Sequence, residues 1–258
     1  MTAGTGALTG AIPARAESHM PPEAMAFHPL SHGDPHGRLF EWDGNLYRGI
    51  SASWAPFYEA LFADGTIQQL VEQGFLIQTE RTPLSLNGFS LVLRHRRVPF
   101  ISYAYEWTAS MLKDAALLVL DFNLALARRG LATQDAHPAN VLFDRCRPVF
   151  VDFGSIAPIQ PHAPWPAYDE FCRFYLYPLY LMANGQGRIA RWLLHDTEQG
   201  VLGSDFFRGF GSIVPSRHSA ARARAYRARQ RIKALRPTLA TRIPPAARGV
   251  LKRALEDP

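Results

Sequence analysis

Residues 134–155 read QDAHPANVLFDRCRPVFVDFGS, and the fold turns on how this stretch is understood. NVLF and VFVDFG are short runs of β-branched and aromatic residues, joined by a turn at 145–148. Asp135 and Asn140 share a loop that contains Pro138. Asp152 opens a second turn, where Gly154 permits unusual backbone angles. A hairpin of this size is expected to carry the Asp135–Asn140 loop up to the end bearing Asp152.

On the N-terminal side lies TASMLKDAALLVLDFNLALARRG at 108–130. Thr108 can cap a helix, apolar residues surround nearly all of 111–127, and Gly130 ends it. A helix apolar on most sides is a central one, packed by several neighbours. On the C-terminal side, PAYDEFCRFYLYPLYLMANG at 166–185 predicts a second buried helix, kinked at Pro178. Helical pieces follow at 187–196 and 204–214.

Residues 38–105 have a different pattern. Apolar residues alternate on both sides of Asp43-Gly44, a pair suited to a tight hairpin turn. Two short helices are predicted after it, one over 53–65 with Ser53 as a cap and one closed by Gly74. Strands are expected over 75–82 and within 89–105, the latter turning near Arg96-Arg97. The whole predicts an α+β fold of two lobes: a small β-rich lobe at 38–107 and a helical lobe at 108–215. Residues 1–37 are rich in Ala, Gly, Pro, Ser and His without periodicity and are expected to form a disordered tail. That tail includes GTGALTG at 4–10 and HGDPHG at 32–37, which imitate phosphate and catalytic loops without the flanking elements. A basic helical extension is expected over 216–258.

The bulk numbers set limits on function. The 258 residues are 47% hydrophobic, enough for a packed core, and carry a formal charge of +6. Lys113, Lys233 and Lys252 are the only lysines, so no chemistry in the first hundred residues can use one. Cys146 and Cys172 have no metal-ligand spacing, which favours reduced thiols and a cytoplasmic setting. No secretory leader is apparent, and the apolar runs at 115–127 and 174–183 are too short or interrupted to cross a bilayer.

Asp135, Asn140 and Asp152 suit phosphoryl transfer. One carboxylate can take the proton of an acceptor hydroxyl, while an amide oxygen and a second carboxylate offer hard ligands to Mg²⁺. On that basis Asp135 is the candidate base, Asn140 and Asp152 the candidate metal ligands, and His137 a candidate partner for the transferred phosphate. D-x-H-P-x-N-V-L-F-D followed by V-D-F-G-S resembles the catalytic and metal-binding loops of the protein-kinase-like superfamily. The style is that of aminoglycoside phosphotransferases, which have His where protein kinases have Lys. RVPFISYAYEWTASMLKDAALLVLD, PVFVDFGS and PWPAYDEFCRFYLYPLYLMA are similar to the kinase-like N-terminal region of NoeA-type nodulation proteins. The resemblance implies a two-lobed protein-kinase-like fold with a reduced N-terminal lobe, using ATP and Mg²⁺ and acting on a small-molecule or glycan-like hydroxyl. In that family a methyltransferase domain typically follows; with no strand–glycine–helix pattern for SAM here, its activity is not carried over.

Two departures favour a second possibility, a pseudokinase or binding module that serves a protein partner, such as a separately encoded methyltransferase. No G-x-G-x-x-G loop is present, and no lysine lies in the strands. Arg48 is the candidate substitute, pairing with Glu59 or Glu72, though its wide planar fork makes the exchange a real change. Thr133 stands where such loops commonly have His. Tyr103, Tyr105 and Glu106 follow the strand that would lead to the adenine and are candidate nucleotide contacts. Asp169 is either a loop anchor or a plain helix-start aspartate, and His95 and His195 read as structural or surface residues. The arginine-rich segment 217–236 lacks interleaved aromatics beyond Tyr226, which favours a docking surface for an acidic protein partner over nucleic acid.

Overall fold

The structure is a computed structural model describing residues 25–31, 34–160 and 163–210; the basic extension and GTGALTG lie outside the described residues. In chain order it contains β1 (Ala26–Phe27), β2 (Gly37–Trp42), β3 (Asn45–Ile50), α1 (Ala55–Ala63), α2 (Thr66–Glu72), β4 (Thr79–Arg81) and β5 (Leu91–His95). Then come α3 (Ala109–Ala127), β6 (Leu131–Thr133), β7 (Val141–Asp144), β8 (Arg147–Phe150) and β9 (Ile156–Pro158). Helices α4 (Tyr168–Phe171), α5 (Tyr177–Ala183), α6 (Gly187–Leu194) and α7 (Gly203–Gly209) follow. The described residues form two compact units, one within 25–61 and 79–96, the other within 62–78 and 97–210.

The first unit is an antiparallel sheet in the order β1-β2-β3-β5-β4. Asp43 (φ 47°) and Gly44 (φ 70°) make the tight β2–β3 turn that the alternation predicts. Phe40, Tyr47, Leu86 and Val92 form a small core, packed by Phe27, Trp42 and Phe89. Of the tail expected over 1–37, the described residues 25–31 and 34–37 are ordered instead, and the remainder lies outside the described residues. Residues 26–27 pair with β2, a 3₁₀ turn covers Pro29–Ser31, and His36 is buried against Trp54, their rings stacked 3.6 Å apart. A two-residue strand has no periodicity to detect. Its partner strand and a distant aromatic supply the order.

The second unit is built on α3. Thr108 caps it, accepting from the Met111 N–H, and Leu112, Ala115, Val119, Phe122 and Leu126 are buried along it. Phe122 meets Phe150 of β8, with ring centroids 5.0 Å apart. β7 and β8 form the expected hairpin, on a tighter turn than expected. Arg145 takes φ 59° and Pro148 already lies within β8, opposite Phe143. The strand predicted over 75–82 is strand only at Thr79–Arg81, while Leu76 bridges to Phe150 in the second unit. The strand predicted within 89–105 stops at His95, and no regular element precedes the 3₁₀ turn Ala104–Glu106. A kink is expected at Pro178; the departure from α-helical bonding lies upstream instead, as a π-helical stretch over Cys172–Leu176. Pro178 sits in the first turn of α5, where its missing N–H and the wider turn before it are compatible. Among the described residues no helix is long and apolar enough to cross a membrane.

Candidate active site

Two loops of the second unit meet because the strands before and after them pair. Leu131 to Thr133 of β6 run antiparallel to Ile156–Pro158 of β9, so the chain leaving β6 at Gln134 emerges beside Ser155. The Gln134 N–H donates to the Ser155 carbonyl (2.8 Å), and the Gln134 and Asp135 N–H groups both reach its hydroxyl (3.0 and 3.3 Å). The Val151 N–H donates to the Asn140 carbonyl (2.8 Å), closing the other side. Asp135, Asn140 and Asp152 are brought together, as their spacing predicts.

Within this cluster the Asn140 amide Nδ2 donates to Asp135 Oδ1. Asp152 caps the 3₁₀ turn Phe153–Ser155, its carboxylate accepting from the Gly154 N–H (3.2 Å). Burial pushes the Asp135 carboxyl up to about 7, and the charges of Asp152 and Glu170 add to the effect. The His137 N–H and the Asn140 amide act in the opposite direction. An acid poised near neutrality can both take and return a proton under ordinary conditions.

His137 is engaged by its own loop. Its Nδ1 accepts from the Ala139 N–H (3.1 Å), which leaves Nε2 to carry the proton donated to the Thr197 carbonyl (2.7 Å). The ring meets Phe174 edge-on at 4.8 Å. In this arrangement His137 ties the catalytic-type loop to the segment after α6.

Several residues that shape the site were not evident from sequence. The carboxylate that anchors the loop is Glu170, which accepts the buried Ala136 N–H at 2.6 Å. Asp169 is the helix-start aspartate of the blander reading, half exposed and within 3.6 Å of Arg173 one turn on. Thr133 is fully buried. Its N–H and hydroxyl both donate to Asn123 Oδ1 (3.0 and 3.1 Å), and Trp165 donates its indole N–H to the Thr133 carbonyl (3.0 Å). Asn123 in turn donates to the Val119 carbonyl of its own helix (2.9 Å). An asparagine among the apolar residues of this helix was the one available signal, since a buried amide must find partners. Tyr175, on the π-turn, is fully buried; burial raises its hydroxyl well above the usual range, and Glu170 and Asp135 add to that.

The candidate nucleotide contacts form a closed turn. The Tyr103 N–H donates to Glu106 Oε2 (2.8 Å), and the Glu106 N–H donates back to the Tyr103 carbonyl (2.8 Å). Tyr105 stacks between Tyr103 and His195, at 5.5 and 4.1 Å. Arg48 belongs to the first unit, where it is buried on β3 and pairs with Asp34. Neither glutamate expected to hold it is buried: Glu59 and Glu72 are both exposed, and Glu72 accepts from Gln68 (2.8 Å). His95 is structural. It is buried against Thr79 (2.8 Å), and burial, with Arg48 adding, holds its ring down to about 3.

No family model matches the chain. The PknI kinase domain of Mycobacterium tuberculosis aligns at a TM-score of 0.35 with 18% identity, over 57% of this chain and 67% of that one. A second structure of that domain gives 0.32 and 19%, over 61% and 68%. Likeness at that level carries no argument for the fold, which rests on the strand order and paired loops above. The nodulation protein NoeA of Rhizobium meliloti (strain 1021) is 31% identical over 190 residues, which are 72% of this chain and 38% of that protein. The chain thus spans well under half the length of the curated relative it matches. Its sheet order, central helix and Asp135–Asn140–Asp152 loops make an α+β, kinase-like fold, related in sequence to NoeA.

Proposed function

We propose that the protein is an ATP- and Mg²⁺-dependent phosphotransferase acting on a hydroxyl of a small molecule or glycan-like metabolite, in the cytoplasm. The observation that carries this reading is the meeting of Asp135, Asn140 and Asp152 at two hydrogen-bonded loops. Asp135 would accept the proton of the acceptor hydroxyl, its raised affinity for protons matching that task. The oxygens of Asn140 and Asp152 are the hard, partly carboxylate donor set that Mg²⁺ prefers, and they would hold it. That ion supplies charge neutralisation on the phosphates when bound. His137 and Glu170 would hold the loop in register rather than touch the phosphate. Tyr103, Tyr105 and Glu106 would serve the nucleotide by packing, because the backbone groups of Tyr103 are spent within the turn. Arg48 is the proposed cation for the phosphates.

The test is a thermal melt with and without Mg·ATP. Ligand at a hundred times its dissociation constant stabilises a fold by about 2.7 kcal/mol. Asp152→Ala is expected to abolish the metal-dependent part of the shift. A melt indifferent to every nucleotide defeats the proposal.

One feature favours a second reading, a nucleotide- or partner-binding module without turnover. The β2–β3 turn is two residues long, and no glycine-rich loop lies in the described sheet. ATP binding with no phosphate released across a broad acceptor screen selects that module. The protein partner suggested for it, docking on the basic segment 217–236, is then sought by pull-down with acidic peptides.

A further inference from the structure

We infer that the outer face of α6, together with the basic segment that follows α7, holds the protein peripherally on an anionic phospholipid surface. The inference is independent of the phosphotransferase reading, and its residues lie outside the catalytic-type loops. Ala190 and Leu194, one turn apart, are the buried positions of α6, which packs on α5 and on the turn Ala104–Glu106. The helical period then gathers Arg188, Arg191, Trp192 and His195 on the opposite side, and all four are exposed. His195 stacks on Tyr105 at 4.1 Å, which fixes that end of the face.

Trp192 is 75% exposed, and it meets no other ring and donates to no group among the described residues. Phe100, 74% exposed, and Ile101, 56%, stand on the segment that leads into the turn beneath α6. Side chains so exposed protrude and do not line a groove, so whatever covers them must envelop them from outside. A bilayer interface does this: indole rings settle at headgroup level, and arginine stems lie along apolar surface while their guanidinium groups reach the phosphates. Neither Arg188 nor Arg191 pairs with a carboxylate among the described residues. The neighbouring Asp196 is spent on the Glu198 and Gln199 N–H groups (3.2 and 2.9 Å). Beyond α7, residues 211–258 carry ten arginines and two lysines against Glu256 and Asp257. That segment follows a helix whose Phe206 stacks on Tyr177 of α5 at 4.6 Å, so α6 and α7 share one support. Firm peripheral attachment takes two signals, an apolar one and a polybasic one, and this unit offers both. A cationic segment by itself would suit any polyanion; the protruding Trp192 is what selects a lipid surface.

The experiment floats the full chain with vesicles of phosphatidylcholine, alone or mixed with phosphatidylglycerol. Wild type, Trp192→Ser, Trp192→Phe and the double variant Arg188→Gln with Arg191→Gln are compared. Wild type should bind the mixed vesicles, ignore pure phosphatidylcholine, and release as salt rises from about 0.1 to about 0.5 M. Trp192→Ser should lower the partition coefficient at least about tenfold, and the double variant about fivefold for each charge removed. With brominated lipid, bound wild type should lose tryptophan fluorescence, while Trp192→Phe stays bound and keeps its own. No binding to the mixed vesicles overturns the proposal, and so does equal binding to pure phosphatidylcholine. Binding that neither Trp192→Ser nor the arginine variant weakens also overturns it, because the basic segment alone would then be adsorbing. Capture by soluble polyglutamate, lost in the same variants while vesicles are ignored, overturns it in favour of an acidic protein partner. Should Trp192→Ser fail to fold, the quenching comparison decides: equal quenching of wild type and Trp192→Phe overturns the placement of Trp192 in lipid.

Discussion

Replacing Asn123 by alanine tests whether the catalytic-type loop is hung from the central helix. Asn123 Oδ1 accepts both the N–H and the hydroxyl of Thr133, a residue with no exposed surface. Alanine leaves the N–H without its acceptor at a fully buried position. A buried donor left unmet costs about 1–3 kcal/mol. The hydroxyl can rotate, so it adds between nothing and about 1.5 kcal/mol. The Val119 carbonyl, which also loses a donor, lies within the regular turns of α3 and adds little. Together these amount to a loss of about 1–4.5 kcal/mol, read as a lower urea midpoint with an unchanged slope. A double-mutant cycle with Thr133→Val isolates the bond from the Thr133 hydroxyl to Asn123: Thr133→Val should cost about 1 kcal/mol more in wild type than beside Asn123→Ala, where only the hydroxyl's acceptance from the Trp165 indole N–H (3.2 Å) is left to lose. If Asn123→Ala stays within 1 kcal/mol of wild type and Thr133→Val costs the same in both backgrounds, the loop does not hang from α3 as reasoned.

Other perturbations have equally definite outcomes. The Asp135 carboxyl is raised from 3.8 to about 7, so its contribution to stability is fully present below pH 3.8 and is lost as pH rises through about 7. Relative to Asp135→Asn in chelator, wild type should therefore weaken across that window by an amount on the order of a few kcal/mol, then level off. A difference in urea midpoint that stays flat with pH contradicts the burial argument. Glu170→Ala removes the acceptor of the buried Ala136 N–H, and amide exchange at Ala136 should accelerate at least tenfold while the β7–β8 amides keep their protection; equal acceleration everywhere would mean global destabilisation instead. Gly200 has φ +58°, and a Cβ there would stand 2.8 Å from the Phe174 ring. Gly200→Ala should cost more than about 1 kcal/mol in urea, because strain and a clash combine. A neutral result would contradict both the strain and the clash at this position.

Much of the second unit was legible in the residues. The apolar run of α3, its Thr108 cap and the two β-type runs at 141–150 each report a local preference, and all agree with the final arrangement. The Asp135–Asn140–Asp152 cluster was legible for the same reason, since a short hairpin leaves its two ends few places to go. What the residues left open lay one residue or one element further on. Asp169 and Glu170 are equivalent as sequence, and only the direction of the first turn of α4 gives Glu170 the Ala136 N–H. His137 reads as a phosphate contact until the Thr197 carbonyl, sixty residues on, is found at its Nε2.

The first unit shows the same division more sharply. Alternation about Asp43-Gly44 was enough to specify the hairpin, because strand periodicity and turn geometry are local properties of the chain. The partner of Arg48 was not specified locally. Glu59 and Glu72 were the nearer carboxylates to consider after the strand, yet Asp34 was seated by a His36–Trp54 stack and by the contact of Gly37 with Gly49. A run of residues declares its own helix, strand or turn through short-range sterics and burial pattern. Which charged group answers which depends on surfaces meeting across the fold, and that was decided only when residues 34–37 closed on β3.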